Sequence, residues 1–268
     1  MSQELVERYY SNQVQREWER MERHKTEFAV TRRVLTEWLP PAPAKLLDCG
    51  CGPGRYSVWL AGQGYQVTLF DLSGENLRFA EGKFAEAGLA QHRTVQGSAA
   101  DLSAFAGEQF DAVLLMGPLY HLVEERDRHA AVSEAWRVLK PGGRLFASFI
   151  TQHAPIRYAL KNSPEYIIEQ RDQLESFWQT GSFPPLRHDG SEFIGYFIPP
   201  RDIPPLIESG GFRLRALLGV EGLCSLIEEK LNAASDEIFD AWLELNYRAA
   251  CQPELHALSE HLLAVAEK

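Results

Sequence analysis

Cysteine is scarce in this 268-residue chain, and its four cysteines form no pattern typical of a metal site or a disulfide framework. Cys49 and Cys51 lie close together in the sequence, while Cys224 and Cys251 stand alone. They make neither a CxxC pair nor a cysteine–histidine cluster, which zinc sites and small disulfide-bonded proteins require. We therefore predict reduced thiols and no bound metal.

Long apolar runs and clustered basic residues are also missing. The longest uncharged hydrophobic stretch, Ala112–Val123, is too short to span a bilayer, and the opening MSQELVERYY mixes acids and bases where a secretory signal has an apolar core. Acidic residues outnumber basic residues by 37 to 27, which gives a net charge of −10. Because nucleic acids and anionic membranes are bound by clustered Lys and Arg, the sequence predicts no nucleic-acid partner and no membrane partner. We expect a cytoplasmic protein that acts on a small-molecule substrate.

Short strand-like runs alternate with helical segments in the first half of the chain. Residues 1–39 have helical composition, with a break predicted near Ser11-Asn12, and a proline-rich linker follows. Within residues 40–151, runs such as LLDCG and FDAVLLM alternate with helical stretches. This alternation predicts an α/β fold, a doubly wound and mostly parallel Rossmann-like sheet with helices on both faces. We assign 1–39 to an N-terminal helical lid and 40–151 to the core.

The second half of the chain departs from this alternation. Residues 152–192 are rich in aromatic residues and proline, which predicts an inserted cap over the carboxyl edge of the sheet. Residues 193–220 have the pattern of a further αβ unit that completes the sheet, and residues 221–268 are expected to form acidic C-terminal helices. The chain is therefore predicted to build one sheet with helical additions at both ends.

A glycine-rich turn follows the first predicted strand, with the sequence DCGCGPGR from Asp48 to Arg55. Glycine lets the backbone approach a ligand closely where any side chain would collide. A dinucleotide-binding turn has the spacing G-x-G-x-x-G and would need glycine at position 55, where this chain has arginine. The G-x-G-x-G spacing therefore argues against an NAD-dependent oxidoreductase, which stays as one alternative.

The turn and its preceding aspartate resemble the first motif of the class I S-adenosylmethionine (SAM) dependent methyltransferases. Asp71 ends the second predicted strand, 21 residues after Gly50, where the family places a carboxylate that holds both ribose hydroxyls. The segments GSAADL (97–102), FDAVLLMGPLYHL (110–122) and RVLKPGG (137–143) resemble later motifs of the family, in a subgroup related to the quinone-biosynthesis methyltransferases. The resemblance implies a SAM-binding core and SAM as cofactor.

The resemblance also implies which residues bind the cofactor. Leu72 would pack on the adenine, and the loop after the third strand would meet its edge through Ser98, the Ala99 backbone or Asp101. These three alternatives stay open because the family often has aspartate where this chain has Ser98. The implied core residues are Asp48, Gly50, Cys51, Gly52, Gly54, Arg55, Asp71, Leu72, Ser98, Ala99, Met116 and Gly117.

Two residues of the N-terminal segment are further cofactor candidates, since related methyltransferases close an N-terminal helix over SAM. Tyr10 either shields the sulfonium by a cation–π contact or belongs to the core. Arg20 either pairs with the methionine carboxylate or is a solvated helix charge.

His121 is the candidate general base, because it follows the fourth strand on the edge of the sheet where α/β ligands bind. Alternatively, His121 is a structural histidine whose ring is hydrogen-bonded to a backbone carbonyl. Tyr120, Tyr158 and Tyr196 are candidates for the acceptor pocket, although aromatic residues in an insertion also bury a cap.

The resemblance implies transfer of the SAM methyl group to a small-molecule acceptor, with the acceptor atom (O, N, S or C) left open. A non-catalytic protein that binds or senses SAM is the second alternative. The oligomeric state is not predicted.

Overall fold

Three helices form the N-terminal segment of the computed structural model, which describes residues 2–89, 92–180, 186–187, 192–193 and 195–268. They are α1 (Ser2–Ser11), α2 (Val14–Arg23) and α3 (Lys25–Trp38). The break predicted near Ser11-Asn12 is confirmed, and a second break at His24 separates α2 from α3. Helix α3 buries Val30 and Val34, one turn apart, in an apolar cluster that includes strand residues of the core.

A seven-stranded sheet lies at the centre of the protein. The strands in the described residues are β1 (Lys45–Cys49), β2 (Gln66–Asp71), β3 (His92–Gln96), β4 (Phe110–Leu115), β5 (Leu139–Ile150), β6 (Leu186–Arg187), β7 (Glu192–Phe193), β8 (Arg213–Gly219) and β9 (His261–Glu267). The order across the main sheet is β3-β2-β1-β4-β5-β9-β8, and β6 and β7 form a separate antiparallel pair. Strand β9 is antiparallel to both of its neighbours, and the pairs from β3 to β5 are parallel.

Helices cover both faces of the sheet. Those after the N-terminal segment are α4 (Arg55–Gly62), α5 (Gly74–Glu86), α6 (Pro118–His121), α7 (Glu125–Val138), α8 (Ala154–Asn162), α9 (Tyr166–Glu169), α10 (Arg171–Thr180), α11 (Ile203–Ser209), α12 (Glu228–Asn232) and α13 (Asp236–Ala250). Along β4, Val113 and Leu115 belong to one buried cluster, and Ala112 and Leu114 to another. Because successive strand side chains point to opposite faces, the two clusters lie on the two faces of the sheet. The predicted doubly wound α/β fold is confirmed.

The segment predicted as a cap, 152–192, contains helices α8 to α10 and the β6–β7 pair. Residues 181–185 and 188–191 of this segment lie outside the described residues. No helix in the described part of the chain is long and apolar enough to cross a membrane.

The prediction for residues 221–268 is wrong at its end. Helices α12 and α13 are present, but His261–Glu267 form strand β9 between β5 and β8. Five successive residues of β9, Leu262 to Ala266, are buried because both faces of the strand are covered. Such an uninterrupted apolar run lacks the alternation that marks a half-exposed strand, so it cannot be told from a buried helix by periodicity.

Replacing Leu262 by alanine should lower the free energy of unfolding by about 2–5 kcal/mol, because it empties a fully buried position in the strand that joins β5 to β8. Chemical denaturation followed by circular dichroism measures this loss. Leu226 is 53% exposed, and Leu226→Ala should change the stability by less than about 0.5 kcal/mol. Equal losses in the two variants would contradict the central position of β9.

Candidate functional site

The glycine-rich turn between β1 and α4 packs tightly against neighbouring elements at two of its glycines. Gly50 and Gly54 have φ values of +80° and +84°, which side-chain-bearing residues rarely adopt. A Cβ at Gly50 would lie 2.5 Å from the Pro118 ring, and one at Gly54 would lie 2.8 Å from the Ala80 Cβ. These two glycines let α6 and α5 approach the turn.

Gly52 differs from the other two glycines because it faces open space. A Cβ at Gly52 would meet no atom within 4 Å, and the residue lines a cavity at the carboxyl edge of the sheet. The backbone there can therefore receive a ligand at close range, as the fit of SAM to this turn requires.

The Asp71 carboxylate, at the end of β2, connects this turn to the start of α5. One oxygen accepts a hydrogen bond from the Gly52 amide (2.8 Å), and the other accepts from the Ser73 amide (2.8 Å) and from Asn76 Nδ2 (3.1 Å). Burial raises the pKa of Asp71, and these hydrogen bonds oppose the rise. Asp71 thus fixes the turn from which a ribose would be bound.

Asp48, at the start of the turn, is buried and accepts a hydrogen bond of 2.6 Å from the Ser57 hydroxyl. Burial raises its pKa to about 7, so near neutral pH this carboxyl carries only part of its charge. Cys51 is also held inside: burial raises the pKa of its thiol well above the usual value, which keeps it protonated and unreactive.

The cavity has a volume of 380 Å³, and most residues predicted from the sequence line it. They are Tyr10, Arg20, Asp48, Gly50, Cys51, Gly52, Arg55, Asp71, Leu72, Ser98, Ala99, Met116, Gly117, Tyr120 and His121. Asp101, the third alternative for the adenine contact, does not line the cavity; it is exposed and accepts a hydrogen bond of 3.0 Å from the Ser103 amide.

Three predicted residues do not reach the cavity. Gly54 packs on Ala80 beneath the turn. Tyr158 is 62% exposed on α8, and its aromatic ring lies outside the cavity. Tyr196 lies under the Arg128 guanidinium, 3.6 Å from its ring centre, and packs against the core cluster. Aromatic residue type alone suggests that these two tyrosines line the acceptor pocket, but both lie outside the cavity.

Helix α1 covers the cavity and is tied to three loops at the carboxyl edge of the sheet. Gln3 donates to the Ser98 hydroxyl (3.1 Å) after β3, and the Ser11 and Ser73 hydroxyls are 2.8 Å apart after β2. Tyr10 reaches the end of α6, where its hydroxyl lies 2.5 Å from His121 Nε2. Burial raises the pKa of the Tyr10 phenol well above its usual value, so the phenol is neutral in this contact.

Arg20 is half-buried and is paired with a carboxylate of the protein. Its two terminal nitrogens bond both oxygens of Glu27, at 2.7 and 2.6 Å, in a bidentate pair. Burial opposes the charge on Glu27, but Arg20 outweighs it and the pKa of Glu27 falls to about 2. Arg55 lies over the Trp18 ring, 4.6 Å from its centre, at the rim of the cavity.

Glu27 and His261 also line the cavity, although no motif in the sequence points to them. His261 is the first residue of β9, which was predicted as helix, and Glu27 lies within an unremarkable helical stretch. Glu221, Glu27 and His261 each place a nitrogen or oxygen within 4.8 Å of the others. Only the tertiary fold brings these residues together, since they come from α3, from the chain after β8 and from β9.

Carboxyl groups outnumber guanidinium groups around the cavity. Glu7, Glu17, Glu27, Asp48 and Asp71 line it, against Arg20 and Arg55. The Glu7 carboxylate acts on Asp71 beside the glycine-rich turn, so the negative charge at this end of the cavity favours a ligand with positive charge, such as the sulfonium and ammonium groups of SAM.

Comparisons with known proteins agree with this geometry. A family model described as a methyltransferase domain matches residues 46–143. The ubiquinone biosynthesis O-methyltransferase of Xanthomonas axonopodis pv. citri is 32% identical over 183 residues, covering 68% of this chain and 68% of that protein. The enzyme of the same name from Methylobacterium nodulans is 31% identical over 182 residues, covering 68% of this chain and 65% of that protein. The chain thus spans about two thirds of the length of these relatives.

Among solved structures, a SAM-dependent methyltransferase from Methanosarcina mazei superposes with a TM-score of 0.60 at 22% identity, over 88% of this chain and 96% of that one. At this identity the likeness shows the fold. The curated relatives and the family model confirm the family, the enzyme class and the cofactor predicted from the sequence. The chain belongs to the class I SAM-dependent methyltransferases, and SAM is its methyl donor.

Proposed function

We propose that the protein transfers the SAM methyl group to a hydroxyl oxygen of a small-molecule acceptor. The observation that carries this proposal is His121: it lines the same cavity as the glycine-rich turn, on a helix whose first residue, Pro118, packs against Gly50. A hydroxyl must lose its proton when its oxygen gains a methyl group, and an imidazole in this place can take that proton.

The curated relatives support oxygen as the acceptor atom, since their names describe O-methyltransferases of ubiquinone biosynthesis. By this analogy the acceptor is a phenolic hydroxyl on a small ring. The apolar and aromatic walls of the cavity, among them Val6, Tyr9 and Ile150, suit such a ring.

Each part of the cavity has a role in this proposal. SAM supplies a methyl group on a sulfonium, which is a good leaving group. Gly52 and Asp71 hold the ribose, Leu72 packs on the adenine, and Ser98 with the Ala99 backbone meets the adenine edge. Met116 and Gly117 border the reacting centre, and α1 excludes water when it is closed.

His121 acts as the general base in this proposal. Its Nε2 is bonded to the neutral Tyr10 phenol, so an acceptor hydroxyl that enters replaces the Tyr10 contact and then gives its proton to the ring. Tyr10 in turn keeps the imidazole oriented while the cavity holds no acceptor.

The alternatives from the sequence are weaker. Arg55 in place of the third dinucleotide glycine argues against an NAD-dependent oxidoreductase, and the catalytic relatives argue against a purely SAM-sensing protein. The cytoplasmic location stays a prediction.

Incubation with methyl-labelled SAM and matched phenols, amines and thiols tests the proposed reaction. We expect label in a base-stable aryl methyl ether. Label found only in an amine or a thiol would contradict oxygen as the acceptor atom, and no transfer to any acceptor would contradict the proposal as a whole.

Asp71→Asn should weaken SAM binding by about 2–3 kcal/mol, because the amide replaces one acceptor oxygen of a charged group and removes its charge. Isothermal titration calorimetry measures this change. Asp101→Asn is the control: Asp101 is exposed in the loop after β3, outside the cavity, so its variant should bind SAM like the unmodified protein. Equal affinities for the two variants would show that the ribose is held elsewhere.

His121→Ala should lower kcat by about 10²–10⁴-fold, the usual contribution of a general base. His121→Gln should lower it similarly, because an amide cannot take the proton. His129→Gln serves as control, since His129 lies on α7 with 43% of its side chain exposed and contacts Ser209. Full activity in His121→Gln would reduce His121 to an orienting role.

A further inference from the structure

A second histidine faces the cavity from the antiparallel strand. Strand β9 begins at His261, which pairs with Ile150, the last residue of β5, so it starts at the same carboxyl edge as the glycine-rich turn. Glu221 follows the end of β8 at this edge and accepts hydrogen bonds from the His261 amide (2.9 Å) and from His261 Nδ1 (2.5 Å). The strand topology thus holds one imidazole rigidly, by its backbone and by one ring nitrogen.

The other ring nitrogen of His261 is left for a ligand. Nε2 has no hydrogen bond to any residue within the described ranges, and the side chain is 13% exposed where it lines the cavity. Buried or half-buried polar groups in proteins are normally paired. The His261 imidazole is held through Nδ1 and presents Nε2 to the cavity, so Nε2 is placed to bind a ligand there.

Charged groups from several elements surround this ring. Glu221 and Glu27 are the nearest carboxylates, Arg20 neutralises Glu27, and His24 and Glu260 flank the cluster. Burial alone lowers the pKa of His261, but the carboxylates of Glu221 and Glu27 outweigh it and raise the pKa to about 9. At neutral pH the ring is therefore an imidazolium, and its Nε2–H is a charged donor.

Both histidines of the cavity lie close to one aromatic ring. The Tyr120 ring centre is 4.8 Å from that of His121 and 6.2 Å from that of His261. A methyl group is transferred to one atom only, so an acceptor that gives its proton to His121 presents a different atom to His261. A charged donor selects an oxygen that is anionic or strongly hydrogen-bond accepting.

We propose that His261, positioned by Glu221, binds a second oxygen of the methyl acceptor. The acceptor is then a small molecule with two oxygen functions: the hydroxyl that is methylated, and a phenolate, enolate or carboxylate oxygen held by Nε2. This inference rests on the proposed function, because it takes His121 as the site of proton removal.

A bound cation is the competing explanation for Glu27, Glu221 and His261, since their ligand atoms are close together. Both oxygens of Glu27 are bonded to Arg20, and both oxygens of Glu221 are bonded to His261. A cation would have to displace a guanidinium and break the carboxylate–imidazolium pair. The charges of the cluster are already balanced without it.

The probe for this inference is 4-nitrocatechol, which has two neighbouring hydroxyls and an absorbance that changes when one ionises. We expect the protein loaded with S-adenosylhomocysteine to bind it as the anion. His261→Asn keeps an amide for Glu221 but cannot reach as far as Nε2, and it should raise the Kd of the probe by about 10-fold or more and abolish the spectral shift. The Kd for S-adenosylhomocysteine should stay unchanged, which shows that the variant is folded.

His129→Asn is the matched control. His129 Nε2 lies 3.6 Å from the Glu125 carboxylate on α7, a second histidine–glutamate pair, and it does not line the cavity. This variant should bind the probe like the unmodified protein.

Three results would overturn the inference: no binding of the probe by the unmodified protein, equal binding by His261→Asn, or loss of binding on addition of EDTA. No methyl group is transferred in these binding measurements, so their outcome does not depend on whether the protein methylates a hydroxyl oxygen. Methyl transfer to oxygen with a KM that His261→Asn does not change would contradict this inference alone.

Discussion

One carboxylate holds three pieces of the chain at the carboxyl edge of the sheet. Asp71 accepts hydrogen bonds from the Gly52 amide, the Ser73 amide and the Asn76 side chain, and so joins the glycine-rich turn to the start of α5. The amides of Gly50 and Cys51 also donate to the Phe70 carbonyl, at 2.7 and 3.1 Å. Preorganisation of the turn therefore depends on the end of β2, which supplies both the Phe70 carbonyl and the Asp71 carboxylate.

The acceptor end of the cavity is organised differently, by buried pairs of opposite charge. Arg20 and Glu27 come from α2 and α3, whereas His261 and Glu221 come from β9 and the chain after β8. Breaking one partner of such a pair leaves an uncompensated charge, which is costly inside a protein. The pairs thus fix helices α2 and α3 and the last strand in one arrangement around the cavity, and in the proposed function they determine which charges an acceptor meets.

The sequence was most informative where function limits the backbone. The fold could be predicted from the alternation of strand-like and helical runs. Gly50 and Gly52 follow β1 and Asp71 ends β2, and their place at the cavity could be predicted from this spacing. The acceptor end could not, because His261 and Glu221 are 40 residues apart and become neighbours only through the pairing of β8 with β9. Residue type alone predicts the wrong location for Tyr158 and Tyr196. An aromatic ring can equally lie on the surface, as Tyr158 does, or pack under a guanidinium, as Tyr196 does under Arg128.

The position of β9 has a consequence for how the chain folds. Strand β8 comes before β9 in the sequence, yet it joins the sheet only through β9, which lies between it and β5. The strands β1 to β5 can assemble in the order in which they are made. Strand β8 has no strand to pair with until residues 261–267 are in place. Pairing between segments so far apart in the chain is the kind of contact that slows folding. Until residues 261–267 have paired with β5, His261 and Glu221 cannot take their places at the cavity.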